Sequence, residues 1–186
     1  MLILASQSPR RKELLSLITS EFTVKSADVD ETLPDGISPQ EAVEYLSKIK
    51  ALPFKNNGDI VIGADTVVSL DGLILGKPKD EKDAFDMLRL LSSREHSVFT
   101  GVTILSAERE KTFNVETRVK FFELSDEEIN AYIKSGECSD KAGAYGIQGL
   151  GSLLVERIDG DYFNVVGLPV SRLNRELSYF RQNQSR

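Results

Sequence analysis

The sequence predicts an α/β protein built on a mixed β-sheet flanked by helices. Three observations carry that reading. Segments with helical spacing alternate along the chain with short apolar or alternating segments. Asp71-Gly72 and Asp159-Gly160 each lie between such segments, and an Asp-Gly pair is a two-residue hairpin signal, so some strands must pair antiparallel. No linker, repeat or low-complexity tract divides the 186 residues, a length that can bury a real core. One domain over 1–186 is the expectation.

Leu2–Ala5 reads as a short buried strand. Pro9–Ile18 reads as a helix, with Ser8 as N-cap, Pro9 at the first helical position and Leu14, Leu15 and Ile18 on one face. Ser38–Leu52 is a second helix, with Pro39 near its start and Ala42, Leu46 and Ile49 in its stripe. Ile60–Leu70 and Leu73–Leu75 form a hairpin around Asp71-Gly72. Asp80–Leu91 is helical, with Ala84, Met87, Leu88 and Leu91 inward. Val98–Leu105 is strand-like, and Phe113, Val115, Val119 and Phe121 recur at even spacing, as in a strand with one covered face. Ser125-Asp126-Glu127-Glu128 is a capping box that opens a helix running to Gly136. Gly143–Gly151 is a glycine-rich loop. Leu153–Ile158 and Tyr162–Val166 flank the second Asp-Gly turn as a further hairpin. Pro169 opens the last helix, to about Phe180, and Arg181–Arg186 reads as a frayed tail.

Composition narrows the chemistry. Apolar residues make up 40% and charged residues 28%, ordinary for a soluble globular protein, and no apolar run is long enough to cross a bilayer. Met1–Ser6 lacks the charged and apolar regions of a secretion signal, and the single cysteine, Cys138, permits no internal disulfide; the expected location is cytoplasmic. A net charge of −6 argues against stable nucleic-acid binding. With one histidine and one cysteine there is no His/Cys metal cluster, and His96, beside the apolar Val98-Phe99, reads as structural. A hydrolase built from this sequence has to rely on carboxylates, lysines and a metal.

Two local features conflict with simple structural roles. Arg10, Arg11 and Lys12 fill the first turn of the first helix, where the dipole disfavours cations by about 0.3–1 kcal/mol each. Beside free backbone N–H groups and the hydroxyls of Ser6 and Ser8 they form an electropositive nest suited to a phosphate chain; a solvated basic face partnered by Glu13 is the alternative. Asp65 interrupts the apolar stretch Ile60–Val68, where an ionised carboxylate is costly unless paired, hydrated or metal-bound; a turn cap after Gly63-Ala64 is the alternative. Pairing Leu70 with Leu73 brings Lys77 opposite Thr66, and a bulge at Gly76 is one way to bring Lys77 to the Asp65 face. Asp28, Asp30 and Glu31 are hard oxygen ligands suited to Mg²⁺, or simply an acidic solvated loop. Gln148, in a glycine-rich loop, has both a donor and an acceptor for one edge of a base. Gly72–Pro78 is one residue short of a P-loop, and Gly146–Gly151 has its glycines in the wrong order for a dinucleotide fingerprint.

In order, Ala5-Ser6-Gln7-Ser8-Pro9-Arg10-Arg11-Lys12-Glu13-Leu14-Leu15, Ile62-Gly63-Ala64-Asp65-Thr66-Val67-Val68, Gly76-Lys77-Pro78, Asp140-Lys141-Ala142-Gly143-Ala144-Tyr145-Gly146-Ile147-Gln148-Gly149 and Gly167-Leu168-Pro169 resemble the Maf family of nucleoside triphosphate pyrophosphatases across nearly the whole chain. The resemblance implies a two-lobed α/β architecture like that of inosine triphosphate pyrophosphatases, with a central cleft. It implies attack of water on the α-phosphorus and release of pyrophosphate, with Mg²⁺ or Mn²⁺ as cofactor. Asp65 matches the proton acceptor; Ser6, Arg10, Lys50 and Lys77 match phosphate-handling positions, with Arg11 beside them; Glu31, with Asp65, matches the metal carboxylates. Arg10, Thr66 and Gln148 look like the branch acting on dTTP and UTP, and modified pyrimidine nucleotides fall within the same expectation. Pro53 is expected to end the second helix early, which bears on where Lys50 points. The resemblance is compatible with a homodimer. A nucleotide-sensing regulatory protein linked to septum formation, with little turnover, is the alternative function.

Overall fold

The computed structural model describes residues 1–56 and 58–182. Among the described residues, seven strands form one sheet: β1 (Leu2–Ala5), β2 (Thr23–Lys25), β3 (Ile60–Leu70), β4 (Leu73–Leu75), β5 (Glu95–Leu105), β6 (Glu110–Phe121) and β7 (Val155–Asp159). The α-helices are α1 (Pro9–Ser16), α2 (Pro39–Ala51), α3 (Glu81–Leu91), α4 (Asp126–Lys134), α5 (Tyr162–Val166) and α6 (Val170–Gln182). Their starts follow from the caps. Ser8 accepts from the Arg11 N–H, and Ser38 and Ser125 complete capping boxes with Glu41 and Glu128. Asp71 and Gly72 both have positive φ, 51° and 82°, as a tight two-residue hairpin requires.

The strand order is β2-β1-β3-β5-β6-β7, with β4 also on β3. β1 is parallel to β2 and β3, and the other pairs are antiparallel. β5 covers one edge of β3 from Val61 to Ser69. The other edge is divided: β1 takes Ile60–Gly63 and β4 takes Val68–Leu70. Between them, residues 64–67 form a gap in the pairing, and that gap contains Asp65 and Thr66.

Helix α2 crosses β3 and β5 on glycines. A Cβ on Gly63 would stand 2.1 Å from the Ser47 carbonyl oxygen, and one on Gly101 would stand 2.2 Å from that of Val43. Side chains alternate along a strand, so Asp65 shares the α2 face with Gly63 while Thr66 faces the other way. On that other face Leu14 and Leu15 of α1 and Leu173 and Leu177 of α6 pack with Ile62 and Ala64. A second cluster, built from Leu88 of α3, Ile129 of α4, Val68 and Phe121, covers the far end of the long strands.

Several boundaries differ from expectation. β2 has only three residues and two of them are exposed, too short for a periodic signal. β5 begins at Glu95, three residues early, because its polar start still pairs with β6. Gly149–Leu154 is a 3₁₀ segment and β7 follows it. Tyr162–Val166 is a helix and not the second strand of a hairpin. The Asp161 carboxylate accepts from the N–H groups of Phe163 and Asn164, and Gly167, at φ 128°, ends the turn. A five-residue, mostly apolar segment fits either state, and the cap decides it. Arg181 and Gln182, expected in the frayed tail, belong to α6, and residues 183–186 lie outside the described residues. No described helix is long and apolar enough to cross a membrane.

Candidate active site

β1 ends at Ala5, and the chain turns through Ser6–Ser8 into α1. A parallel strand end and a helix N-terminus therefore meet beside the gap in β3, an arrangement suited to an anion. Two adjoining cavities of about 760 and about 550 Å³ open there. Both are lined by Ser8, Arg11, Glu31, Lys50, Lys77 and Asp140. The larger adds Arg10, Asp65, Thr66 and Gln148, and the smaller adds Ser6. Arg10 and Asp65, distant in sequence, thus share one cleft wall.

Asp65 is 9% exposed, and its Oδ1 lies 2.5 Å from the Lys50 ammonium. The same ammonium is 3.1 Å from Glu31 Oε1. The glycine-paved approach of α2 makes this possible: Lys50 sits one turn beyond Ser47, in the last turn of the helix, and reaches across the Gly63 site to Asp65. Pro53 lies in a short 3₁₀ extension, Leu52–Phe54, so Lys50 remains inside the α-helix. Two carboxylates from separate segments therefore converge on one cation. Among the described residues there is no group of three His, Cys, Asp or Glu side chains able to hold a metal by themselves.

Arg11 occupies the other face of the gap. Its Nε donates to the Gly167 carbonyl at 2.9 Å and its Nη2 to Thr66 Oγ1 at 3.1 Å. Burial lowers its pKa below the ordinary guanidinium range, with Asp65 opposing and Arg10 reinforcing the shift. Arg10 lies 3.8 Å from Asp140, whose carboxyl is held below its usual range chiefly by a hydrogen bond from Lys141. Thr66 is thus tied to Arg11. Lys12, third of the basic residues, is exposed and outside the cleft lining.

Lys77 reaches both cavities without a bulge. The β3–β4 ladder stops at Leu75, and the chain then leaves the sheet, with the Gly76 carbonyl accepting from the Gly143 N–H at 3.0 Å. The glycine-rich loop is held from α4 and from the segment after it. Tyr132 OH accepts from the Gly146 N–H at 3.1 Å, and Glu137 accepts from the Leu150 N–H at 3.1 Å, leaving Gln148 exposed at the cleft. Ser6 is buried and its hydroxyl accepts from the Ser8 N–H. Asp28 lines the smaller cavity, whereas Asp30 caps its own turn through Thr32. His96 is structural, as expected: it is 3% exposed, hydrogen-bonded to Tyr145 OH at 2.8 Å, and edge-on to Phe121 and Tyr145.

A family model described as Maf-like protein matches residues 1–180. The chain belongs to the Maf family. Among its relatives, a dTTP/UTP pyrophosphatase of Bacillus pumilus (strain SAFR-032) is 51% identical over 181 residues, covering 96% of each chain. One of Bacillus cereus (strain G9842) is 50% identical, covering 96% of this chain and 95% of its own. Among solved structures, a HAM1 protein from Coxiella burnetii matches with a TM-score of 0.52 at 15% identity, over 96% of this chain and 98% of its own. That likeness concerns fold, and it agrees with the mixed α/β architecture. In this Maf-family chain, sequence reasoning missed Gly167 and Asp140 as partners of cleft residues, and Glu137 as an anchor of the glycine-rich loop. The first two lie inside motifs quoted for the family. Glu137 carries no signal of its own, because its partner is a backbone N–H thirteen residues away.

Proposed function

We propose that the chain is a nucleoside triphosphate pyrophosphatase that hydrolyses dTTP and UTP to the monophosphate and pyrophosphate. The observation that carries this reading is the convergence of Arg10 and Arg11 of α1 with Asp65 on one cleft, in a chain half identical to dTTP/UTP pyrophosphatases over 96% of its length. The triphosphate lies along Ser6, Arg10, Lys50 and Lys77, whose hydroxyl, guanidinium and ammonium groups balance its charge. Arg11, Thr66 and Gln148 bound the nucleoside side. Asp65 accepts the proton of a water that attacks the α-phosphorus; the bond to the bridging oxygen breaks and pyrophosphate leaves, its growing charge stabilised by Arg10 and the lysines.

Glu31 and Asp65, which converge on one cation position at the Lys50 ammonium, are hard oxygen donors that would hold Mg²⁺ or Mn²⁺. When bound, such an ion would add charge neutralisation on the phosphates. A cytoplasmic, house-cleaning enzyme, one two-lobed domain over 1–186 and able to form a homodimer, completes the reading; sedimentation of the purified protein tests the dimer.

Incubation with a panel of triphosphates and either metal, followed by product identification, tests the activity. Monophosphate plus pyrophosphate, released fastest from dTTP and UTP, is the expected result. Diphosphate plus phosphate, or tight retention without products, overturns it.

A further inference from the structure

Thr66 and Thr100 are directly opposed on β3 and β5, and their hydroxyl oxygens lie 2.9 Å apart. In isolation either could donate. The neighbours decide the direction. Thr100 Oγ1 is 2.8 Å from the Asn164 carbonyl oxygen, which has no hydrogen to give, so Thr100 directs its only hydroxyl hydrogen there. Thr66 must then donate its own hydrogen to Thr100. Having done so, it is left with lone pairs alone, and it accepts from Arg11 Nη2 at 3.1 Å. Arg11 has only donors, so the series runs one way: Arg11 to Thr66 to Thr100 to the α5 carbonyl. Thr100 is fully buried, and no solvent competes for its hydrogen.

The consequence falls on Arg11. Two acceptors from different segments, Thr66 Oγ1 on Nη2 and the Gly167 carbonyl on Nε, hold its planar group in one orientation at the cleft wall. Were the Thr66 hydrogen free, it could turn toward the guanidinium and meet another donor. We propose that Thr100 is a positioning residue for nucleotide binding: by taking the Thr66 hydrogen it makes Thr66 an acceptor, which holds Arg11 against Gly167 with its remaining N–H groups free for the substrate. This rests on the reading of the cleft as a nucleoside triphosphate site.

The test is a double-mutant cycle on the purified enzyme with dTTP. Thr100→Val keeps the shape and removes the hydroxyl; KM is expected to rise about tenfold, the scale of one polar contact, while kcat falls by less. Thr100→Ser restores the wild-type KM. In a Thr66→Val background, Thr100→Val adds no further rise, because the acceptor it acts through is already gone. Should Thr100→Val not fold, Thr100→Ala makes the same comparison, with thermal melting as the check on folding. An unchanged KM in folded Thr100→Val or Thr100→Ala, a failure of Thr100→Ser to restore it, or independent multiplicative effects of the two substitutions overturns the proposal. None of these outcomes touches the reading of the activity, which fails only if the unaltered protein releases no pyrophosphate.

Discussion

Adding one methyl group at Gly63 is expected to damage stability and turnover together. The new Cβ would meet the Ser47 carbonyl oxygen at 2.1 Å and Ala51 Cβ at 3.0 Å, against 3.4 Å for ordinary contact. Both atoms belong to α2, one of them to its backbone, so no side-chain rotation relieves the clash. To restore ordinary contact the helix must retreat by about 1.3 Å. Overpacking of this kind costs about 1–3 kcal/mol, which lowers the melting temperature of a protein this size by several degrees. The same retreat carries Lys50 away from Asp65, now 2.5 Å distant. A displacement on the order of 1 Å in a catalytic constellation costs roughly 100-fold in rate. Urea denaturation and steady-state hydrolysis of dTTP on Gly63→Ala measure the two effects. Gly76→Ala, which meets nothing within 4 Å, is the stability control. A Gly63→Ala protein with unchanged urea midpoint and turnover would refute the claim that close helix approach sets the Lys50–Asp65 contact.

Asp65→Asn is expected to retain nucleotide binding by calorimetry while losing turnover by at least about 100-fold, the scale of a missing general base; near-normal pyrophosphate release removes Asp65 from that role. Burial pulls the His96 pKa down from 6.5 to about 4. The unfolded chain therefore binds this proton first, so the stability associated with neutral His96 is present above pH 6.5 and is lost as pH falls toward 4. The full loss is about 3 kcal/mol as an order of magnitude. Subtracting the stability curve of His96→Gln from that of the unaltered protein isolates this contribution, and a flat difference over that window contradicts it. Tyr132→Phe removes the acceptor for the Gly146 N–H and is expected to cost about 1 kcal/mol, with faster proteolysis of the glycine-rich loop. Unchanged loop cleavage would show that Tyr132 does not anchor it.

Much of this protein is legible in the sequence alone. Ser8, Ser38 and Ser125 cap helices through local hydrogen bonds, and Asp71-Gly72 closes its hairpin by local backbone preference, so each signal lies within a few residues of its effect. The same holds for the misplaced cations of α1 and the lone acid of β3, whose local cost marked them as functional candidates. Tyr162–Val166 is ambiguous in sequence because a mostly apolar segment of five residues has no distinctive period, and the three residues of β2 carry too little pattern.

Tertiary structure alone decided which charges meet. Arg10 and Arg11 are adjacent and chemically alike, yet the helix turns one toward Asp140 and the other toward Thr66 and Gly167. Lys50 and Asp65 are brought together by two glycines that let α2 lie directly on the sheet, and the cleft exists because β1 and β4 leave four residues of one β3 edge unpaired. Caps and turns depend on neighbours in sequence, whereas these contacts depend on strand register and helix-to-sheet distance, which are set only when the whole sheet has formed.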